Sequence, residues 1–215
     1  MTSTMSSYQA HFEQRPLVAI LRGILPAEVE AVGEALCDAG FTLIEVPLNS
    51  PDAIDSIGRL AARLAGRATV GAGTVLSIEQ VRAVADAGGQ MIISPNADLD
   101  VIAATVERGL VSLPGVFTPS EAFAALKAGA TGLKLFPAEA ASPAVLKAWR
   151  AVIPASVPII PVGGITPDNM AQWLAAGASG FGFGSALYSA GLDAVTVAAR
   201  AARFISSFEA AHHTR

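Results

Sequence analysis

The sequence predicts an α/β protein that forms a single (β/α)8 barrel of the TIM type, preceded by a short N-terminal helix or arm. Three observations support this prediction: eight short apolar runs, an amphipathic segment after each run, and a length of 215 residues. Barrels of this class commonly occupy about 200–250 residues as one domain. We therefore expect one barrel domain over 1–215, in which 1–15 is an N-terminal extension.

The eight apolar runs have the length and the boundaries of buried β-strands. Each is three to five residues long, and most are bounded by glycine, proline, serine or asparagine. Nearly continuous apolar strands are typical of a parallel sheet that is covered on its outer face. The runs are 17–21, 43–46, 69–71, 91–93, 111–113, 132–135, 159–162 and 180–183.

The segments between the runs carry the signals of helices. Prolines occur near their first turns, where a missing N–H costs nothing, and glycines follow their last turns. These residues are Pro26, Pro51, Pro119, Pro143 and Pro167, and Gly40, Gly88, Gly109, Gly129 and Gly177. Alternating strands and helices imply parallel strands with right-handed crossovers. The alternative, an open doubly wound sheet, predicts a glycine-rich fingerprint after the first strand, and residues 21–26 contain none.

The composition excludes several classes of protein. Apolar residues make up 52% of the chain and charged residues 15%, so a large core is expected, and a disordered chain or a coiled coil is not. The net charge of −4 argues against nucleic acid as a partner. Residues 1–14 are polar and lack the apolar segment of a signal peptide, and no apolar run is long enough to span a bilayer. We therefore expect a cytoplasmic protein with no membrane partner.

Lys134 is the first residue whose position is unusual. It stands between Leu133 and Leu135 inside the sixth apolar run, whereas Lys127 and Lys147 lie in helical segments and are expected at the surface. Burial of an unpaired ammonium group is costly and lowers the pKa of the lysine. A neutral amine attacks carbonyl carbons, so Lys134 is a candidate nucleophile. A structural lysine that reaches the rim or pairs with a carboxylate is the alternative.

Glu45 is the second such residue, since it places a carboxyl group late in the second apolar run. Strands two and six lie opposite each other in an eight-stranded barrel, so Glu45 and Lys134 can both reach the central mouth. The two side chains would form either an ion pair or a nucleophile with a proton shuttle. Arg22 ends the first run and Thr74 follows the third; both are suited to bind a substrate carboxylate, although either can be a simple rim residue.

Two glycine clusters follow the last two runs. Gly163 and Gly164 come after the seventh, and Gly184 with Ser185 comes after the eighth. Barrels often bind phosphate in these two loops, where glycine lets backbone N–H groups approach an anion.

His11, His212 and His213 all lie in the terminal segments and are expected to be solvated, so we expect no histidine-ligated metal site.

Seven motifs in this order resemble those of the 2-keto-3-deoxy-6-phosphogluconate/phosphogalactonate aldolases, which are class I lyases on a (β/α)8 barrel. The resemblance covers roughly residues 16–191. The motifs are Glu-Val-Pro-Leu-Asn-Ser at 45–50, Val-Gly-Ala-Gly-Thr-Val at 70–75, Ile-Ser-Pro-Asn at 93–96, Pro-Gly at 114–115, Leu-Lys-Leu-Phe-Pro at 133–137, Val-Gly-Gly-Ile at 162–165 and Gly-Ser at 184–185.

Two positions favour the phosphogalactonate branch of this family. The gluconate branch typically carries Leu-Arg-Thr where this chain has Leu-Asn-Ser at 48–50, and it often has threonine where this chain has Val162. A threonine hydroxyl at that position can contact a sugar hydroxyl, and valine cannot. The gluconate epimer, or an enzyme that accepts both epimers, is the alternative, and a phosphosugar isomerase or a sugar-phosphate binding protein is a more distant one.

The resemblance also implies roles for individual residues. Lys134 would form the Schiff base, Glu45 would be the acid/base group, and Arg22 and Thr74 would bind the pyruvyl end of a phosphorylated 2-keto-3-deoxy sugar acid. No cofactor or metal is implied, the products would be pyruvate and glyceraldehyde 3-phosphate, and the family usually forms homotrimers. The other implied site residues are Pro95, Phe136 and Val162 around the substrate, and Gly163, Gly164, Ile165, Gly184 and Ser185 around the phosphate.

Overall fold

The computed structural model of the protein describes residues 3–212 as an alternating series of helices and strands. Among these residues, none of the helices has the length and apolar character needed to cross a membrane. The helices are α1 (Ser3–Gln14), α2 (Val29–Ala39), α3 (Ala53–Arg63), α4 (Ile78–Asp86), α5 (Leu99–Glu107), α6 (Pro119–Lys127), α7 (Pro143–Arg150), α8 (Met170–Ala175) and α9 (Ala194–His212), with a 3-10 helix at Ala138–Ala140. The strands are β1 (Leu17–Ile20), β2 (Leu43–Pro47), β3 (Thr69–Gly73), β4 (Met91–Ile93), β5 (Val111–Leu113), β6 (Gly115–Val116), β7 (Leu133–Leu135), β8 (Ile159–Pro161) and β9 (Phe181–Phe183).

All the strand pairs are parallel, and they form two sheets. Six strands follow the order β5-β4-β3-β2-β1-β9, and three follow the order β6-β7-β8. Only Pro114 separates β5 from β6, and a bridge between Val162 and Gly182 joins the end of β8 to β9. Each of the eight predicted runs coincides with a strand, so the predicted α/β architecture with parallel strands is confirmed. The additional strand β6 arises because the fifth run continues beyond Pro114.

Apolar side chains pack on both faces of the strands. One cluster lies between the strands and the helices and contains Leu17, Ala19, Leu133 and Leu135, with most of the other core residues. The second cluster contains Val18, Ile20, Leu43, Met91, Ile93 and Ile160 among others, from strands of both sheets. Alternate residues of a strand point to opposite faces, so the second cluster marks an inner face towards which the sheets curl.

Helix α1 covers one end of the inner face. Its residues Met5, Tyr8 and Phe12 pack against the second cluster, and the ring of His11 lies 2.9 Å from the hydroxyl oxygen of Thr69 at the start of β3. The predicted N-terminal helix is therefore confirmed. The prediction that His11 is solvated is wrong, because its packing against β3 leaves it half-buried. His212 is exposed, and His213 lies outside the described residues.

The predicted helix signals agree with the observed ends. Pro119 and Pro143 occupy the first turns of α6 and α7, while the other three prolines lie in the turns that precede their helices. Gly40 ends α2 in a left-handed conformation. These turns place the amino ends of the helices, and the loops that carry the candidate site residues, at the carboxyl ends of the strands.

Candidate functional site

Lys134 lies in the middle of β7 and points to the inner face. Its neighbours Leu133 and Leu135 belong to the helix-side cluster, as the alternation of a strand requires. The side chain is 7% exposed, and its Nζ atom lies 4.6 Å from the centre of the Phe136 ring. Burial lowers the pKa of Lys134, and the nearby Glu45 carboxylate opposes this shift. The amine is therefore more easily deprotonated than an ordinary lysine, which favours nucleophilic attack.

Glu45 lies on β2 and faces the same interior. It is in register with Ile20 of β1 and Gly71 of β3, and it is 2% exposed. Burial raises the pKa of Glu45 to about 7, against the opposing effects of Lys134 and Arg22. Within the described part of the chain, its buried Oε2 atom has no hydrogen-bond partner. A carboxyl group with this pKa can both take and give a proton near neutral pH.

Glu45 and Lys134 line one small cavity inside the curled sheets. The cavity has a volume of only about 10 Å³, and strands of both sheets contribute to its wall. Its other lining residues are apolar side chains or glycine: Val18, Ile20, Ile93, Leu113, Ile160, Val162 and Gly182. In this apolar setting the electrostatic interaction between the two groups is stronger than it would be in water.

A second, larger pocket connects Lys134 to the loops that follow the strands. Its volume is about 560 Å³, and Lys134, Ile20, Val162 and Gly182 line both this pocket and the small cavity. The pocket therefore reaches from the reactive amine to the glycine loops. The other predicted site residues in its wall are Arg22, Phe136, Gly163, Gly164, Ile165, Gly184 and Ser185.

The glycine loops present backbone N–H groups to this pocket. Gly163 and Gly164 have φ angles of +104° and +66°, which residues with a side chain rarely adopt. In the described residues, the N–H groups of Gly164, Ile165 and Ser185 donate to no other protein group. Free N–H groups that converge in successive turns form an anion-binding concavity. The geometry of these loops therefore suits a phosphate group.

Arg22 stands at the rim of the larger pocket, where a neighbouring loop fixes it. Its guanidinium group donates a hydrogen bond of 2.5 Å to Oδ1 of Asn49, and the Gly23 N–H donates to the Ser50 hydroxyl at 2.9 Å. Arg22 also acts electrostatically on both Glu45 and Lys134. The end of β1 and the loop after β2 thus place a cation close to the reactive pair.

Thr74 and Pro95 lie near the site but line neither of the two cavities. Thr74 follows β3 with a φ angle of +56°, an unusual conformation for a β-branched residue. Such strain is concentrated at functional sites. Pro95 packs its carbonyl group against Gly115, which is in register with Lys134. The structure therefore places both residues beside the strands that carry the site without bringing them into its wall.

A family model described as "KDPG and KHG aldolase" matches residues 9–200 of this sequence. The match covers most of the chain. The chain belongs to the KDPG and KHG aldolase family. A 2-dehydro-3-deoxy-6-phosphogalactonate aldolase from Escherichia coli (strain K12) is 46% identical over 196 residues, which cover 91% of this chain and 96% of that protein.

Solved structures of this aldolase family have the same fold. A structure described as native KDPGal has a TM-score of 0.91 and 46% identity, over 92% of this chain and 96% of that one. A KDPG aldolase from Legionella pneumophila, with pyruvate captured as a covalent carbinolamine intermediate, has a TM-score of 0.77 and 26% identity, over 94% of this chain and 96% of that one.

Two further residues of this aldolase were not identified from the sequence. Glu139, in the 3-10 helix, brings its carboxyl group so close to the phosphate loop that a Cβ atom at Gly163 would lie 2.5 Å from Glu139 Oε2. Gly73, at the end of β3, lies directly beside the carboxyl group of Glu45. No local sequence motif predicts either contact, because each contact joins segments that are distant in the sequence.

In residues 3–212 no cluster of three or more His, Cys, Asp or Glu side chains suitable for a metal ion is found.

Proposed function

We propose that this protein is a class I aldolase that cleaves 2-dehydro-3-deoxy-6-phosphogalactonate to pyruvate and glyceraldehyde 3-phosphate. One observation carries the proposal: Lys134 is buried, lines a small interior cavity together with Glu45, and also lines the pocket with the free N–H groups. The kinship with an aldolase of this specificity and the captured pyruvate adduct of a more distant family member support it.

The reaction begins at the amine. Neutral Lys134 attacks the C2 carbonyl carbon of the sugar acid and forms a carbinolamine. Glu45, directly or through a water molecule, supplies the proton with which the C2 hydroxyl leaves as water. The product is an iminium ion, whose positive nitrogen is an electron sink next to C3. The lowered pKa of Lys134, caused by its burial, increases the fraction of amine that is ready to attack.

Glu45 then removes the proton from the C4 hydroxyl group. The electrons of that O–H bond form the aldehyde carbonyl, the C3–C4 bond breaks, and its electron pair enters the iminium system to give an enamine. Glyceraldehyde 3-phosphate leaves. Protonation at C3 and hydrolysis of the iminium then release pyruvate and regenerate the amine. Since the iminium supplies the electron sink, we propose that no metal or organic cofactor takes part.

The two ends of the substrate are held by different groups in this proposal. Arg22 binds the carboxylate of the pyruvyl end from the pocket wall, and Thr74, which lies beside the wall, binds it by turning its hydroxyl group towards the pocket. Phe136 shapes the pocket directly, and Pro95 shapes it through its contact with Gly115. The electrostatic influence of Arg22 on both reactive groups supports this placement. The phosphate is held by Gly163, Gly164, Ile165, Gly184 and Ser185. Binding energy gained at the remote phosphate helps to hold C2 against the amine.

The choice of the galactonate epimer rests on Val162 and on the kinship with the aldolase of that name. Val162 lines both cavities, so it lies between the reactive pair and the phosphate loops. We expect kcat/KM to be higher for the galactonate epimer, and Val162→Thr to reduce that preference. Equal kcat/KM values for both epimers in the wild-type protein would instead support a dual-specificity enzyme.

We also propose that the two sheets form one (β/α)8 barrel in a single domain over 1–215. The short gap at Pro114, the bridge from Val162 to Gly182 and the shared interior cavity support this.

We further propose a cytoplasmic homotrimer that binds neither nucleic acid nor membranes. The trimer follows the family resemblance, and the exposed side chains of Phe117 and Phe123 supply apolar surface for it. Light scattering of the purified protein measures the mass of the assembly.

Reductive trapping tests the central step of the proposal. The protein is incubated with pyruvate and borohydride, and intact and peptide masses are then measured. We expect one reduced pyruvyl group per chain, on the peptide that contains Lys134, and none when borohydride is omitted. Lys127 and Lys147 are exposed and serve as internal controls for unspecific reaction. A folded protein with no adduct at Lys134 would exclude Schiff-base chemistry and would favour a phosphosugar isomerase or a binding protein.

A further inference from the structure

Gly73 occupies a position where any side chain would meet the carboxyl group of Glu45. It is the last residue of β3 and pairs with Pro47, two residues after Glu45 on β2. A Cβ atom at Gly73 would lie 1.6 Å from Oε2, 2.4 Å from Cδ and 2.6 Å from Oε1 of Glu45. These are the three nearest atoms, so the side chain displaced first would be this carboxylate.

Backbone conformation does not require a glycine at this position. Gly73 is absent from the residues with a positive φ angle, whereas the next residue, Thr74, has one. Its neighbour Gly71 differs too, because a Cβ atom there would lie 2.0 Å from the backbone oxygen of Met91. Gly71 therefore lets two strands approach each other, while Gly73 makes room for a side chain of the site.

We propose that Gly73 is a positioning residue, which holds the Glu45 carboxylate at its working place beside Lys134 by leaving that space open. The inference rests on the proposed function, in which Glu45 moves protons for Lys134. The backbone of Gly73 cannot easily retreat, since its carbonyl oxygen accepts a 2.8 Å hydrogen bond from the N–H of Leu48, just after the strand that carries Glu45. An added methyl group thus moves the carboxylate, which ends a flexible side chain, rather than the strand.

A double-mutant cycle on kcat/KM tests the inference. Gly73→Ala is made in the wild-type protein and in the Glu45→Asp variant, whose carboxyl group is withdrawn by one methylene. In the wild-type protein we expect a loss of about 10²-fold, because misplacement by about 1 Å can cost that much. In the Glu45→Asp background we expect the same substitution to cost less than about tenfold. The loss should fall on kcat, with KM for the phosphorylated substrate little changed, because the phosphate loop is intact.

Stability measurements keep the inference falsifiable if the variant folds poorly. In the Glu45→Ala background the carboxylate is gone, so Gly73→Ala should lower the Tm less there than it does in the wild-type protein. The matched control is Gly58→Ala in α3, where the nearest atoms lie at 3.6 Å and beyond, and it should leave kcat/KM unchanged.

Two outcomes would overturn the inference: an equal loss of kcat/KM from Gly73→Ala in both backgrounds, or wild-type activity in the single variant. Either result leaves the proposed function untouched if the wild-type protein cleaves substrate and forms the Lys134 adduct. Failure of the wild-type protein in those two assays would instead refute the proposed function itself.

Discussion

The two ends of the inner face have opposite chemistry. Towards the carboxyl ends of the strands, Lys134 and Glu45 are ionisable groups at 7% and 2% exposure, and Thr74 has a left-handed backbone. At the other end, helix α1 covers apolar side chains, and Tyr8 and Phe12 pack their rings 5.5 Å apart. The same parallel strands thus carry a reactive end and a sealed end.

This difference shows how the molecule separates stability from reactivity. Burial of an ammonium group and a carboxyl group opposes folding unless the groups compensate each other. Apolar burial contributes roughly 25 cal/mol per Å², and the sealed end supplies it without bringing a charge into the interior. Substitutions at the reactive end should therefore change activity strongly, with a neutral or positive effect on stability, and those at the sealed end should do the reverse.

The largest expected effect is that of Lys134→Met at the reactive end. Turnover should fall by at least about 10⁴-fold, because the nucleophile is lost and its partners cannot act without it. The fold should survive, since methionine fills a similar volume and removes a buried ammonium group. Activity assays and thermal unfolding of the same sample check both parts. Lys147→Met, an exposed position on α7, is the control, and comparable turnover in the Lys134 variant would refute the nucleophilic role.

Glu45→Gln should lower kcat by about 10²–10⁴-fold, the range expected for loss of a general acid/base group.

The Glu45→Gln substitution should also change how the free energy of unfolding depends on pH. Burial raises the pKa of Glu45 to about 7 from 4.5, so the folded state holds a proton that the unfolded state has released. The contribution of Glu45 to stability therefore falls as pH rises from about 4.5 to about 7 and is constant above.

Glutamine has no such dependence, so the variant should gain stability relative to the wild-type protein across this window, by at most about 3 kcal/mol. Urea unfolding at several pH values between 4 and 8 measures the difference. If the two curves of unfolding free energy against pH stay parallel, the burial of Glu45 has no energetic cost, and the contrast between the two ends is weaker than the structure indicates.

How much of this site can be predicted from the sequence depends on the range of the interaction. A cation between two leucines in a strand breaks the local pattern, so the sequence alone singles out Lys134. Pro114 is also visible in the sequence, but its interruption of the strand pairing is not. The strained φ angle of Thr74, the space that Gly73 leaves for Glu45 and the approach of Glu139 to Gly163 depend on neighbouring segments. The half-buried position of His11 cannot be predicted for the same reason, since Thr69 becomes its neighbour only in the folded chain.

A smaller effect is expected from Asn49→Ala, at the rim of the reactive end. The variant removes the acceptor that holds Arg22, so KM for pyruvate in the synthetic direction should rise about fivefold, equivalent to about 1 kcal/mol for one partly exposed hydrogen bond. The kcat value and inhibition by inorganic phosphate should not change. Asn49→Asp keeps an oxygen acceptor and should restore KM. An equal rise in KM in both variants would show that the bond to Arg22 is not what matters.

The smallest effect should come from Tyr8→Phe at the sealed end. The Tyr8 hydroxyl is buried and has no hydrogen-bond partner in residues 3–212, and burial raises the pKa of the phenol above its ordinary value. Its removal should therefore leave the unfolding free energy unchanged or raise it by up to about 1 kcal/mol. Tyr8→Ala, which empties the packed position, should cost about 3–5 kcal/mol. Neither change should alter kcat at a temperature where the variants are folded, and a loss of kcat in Tyr8→Phe would show that the two ends are coupled rather than separate.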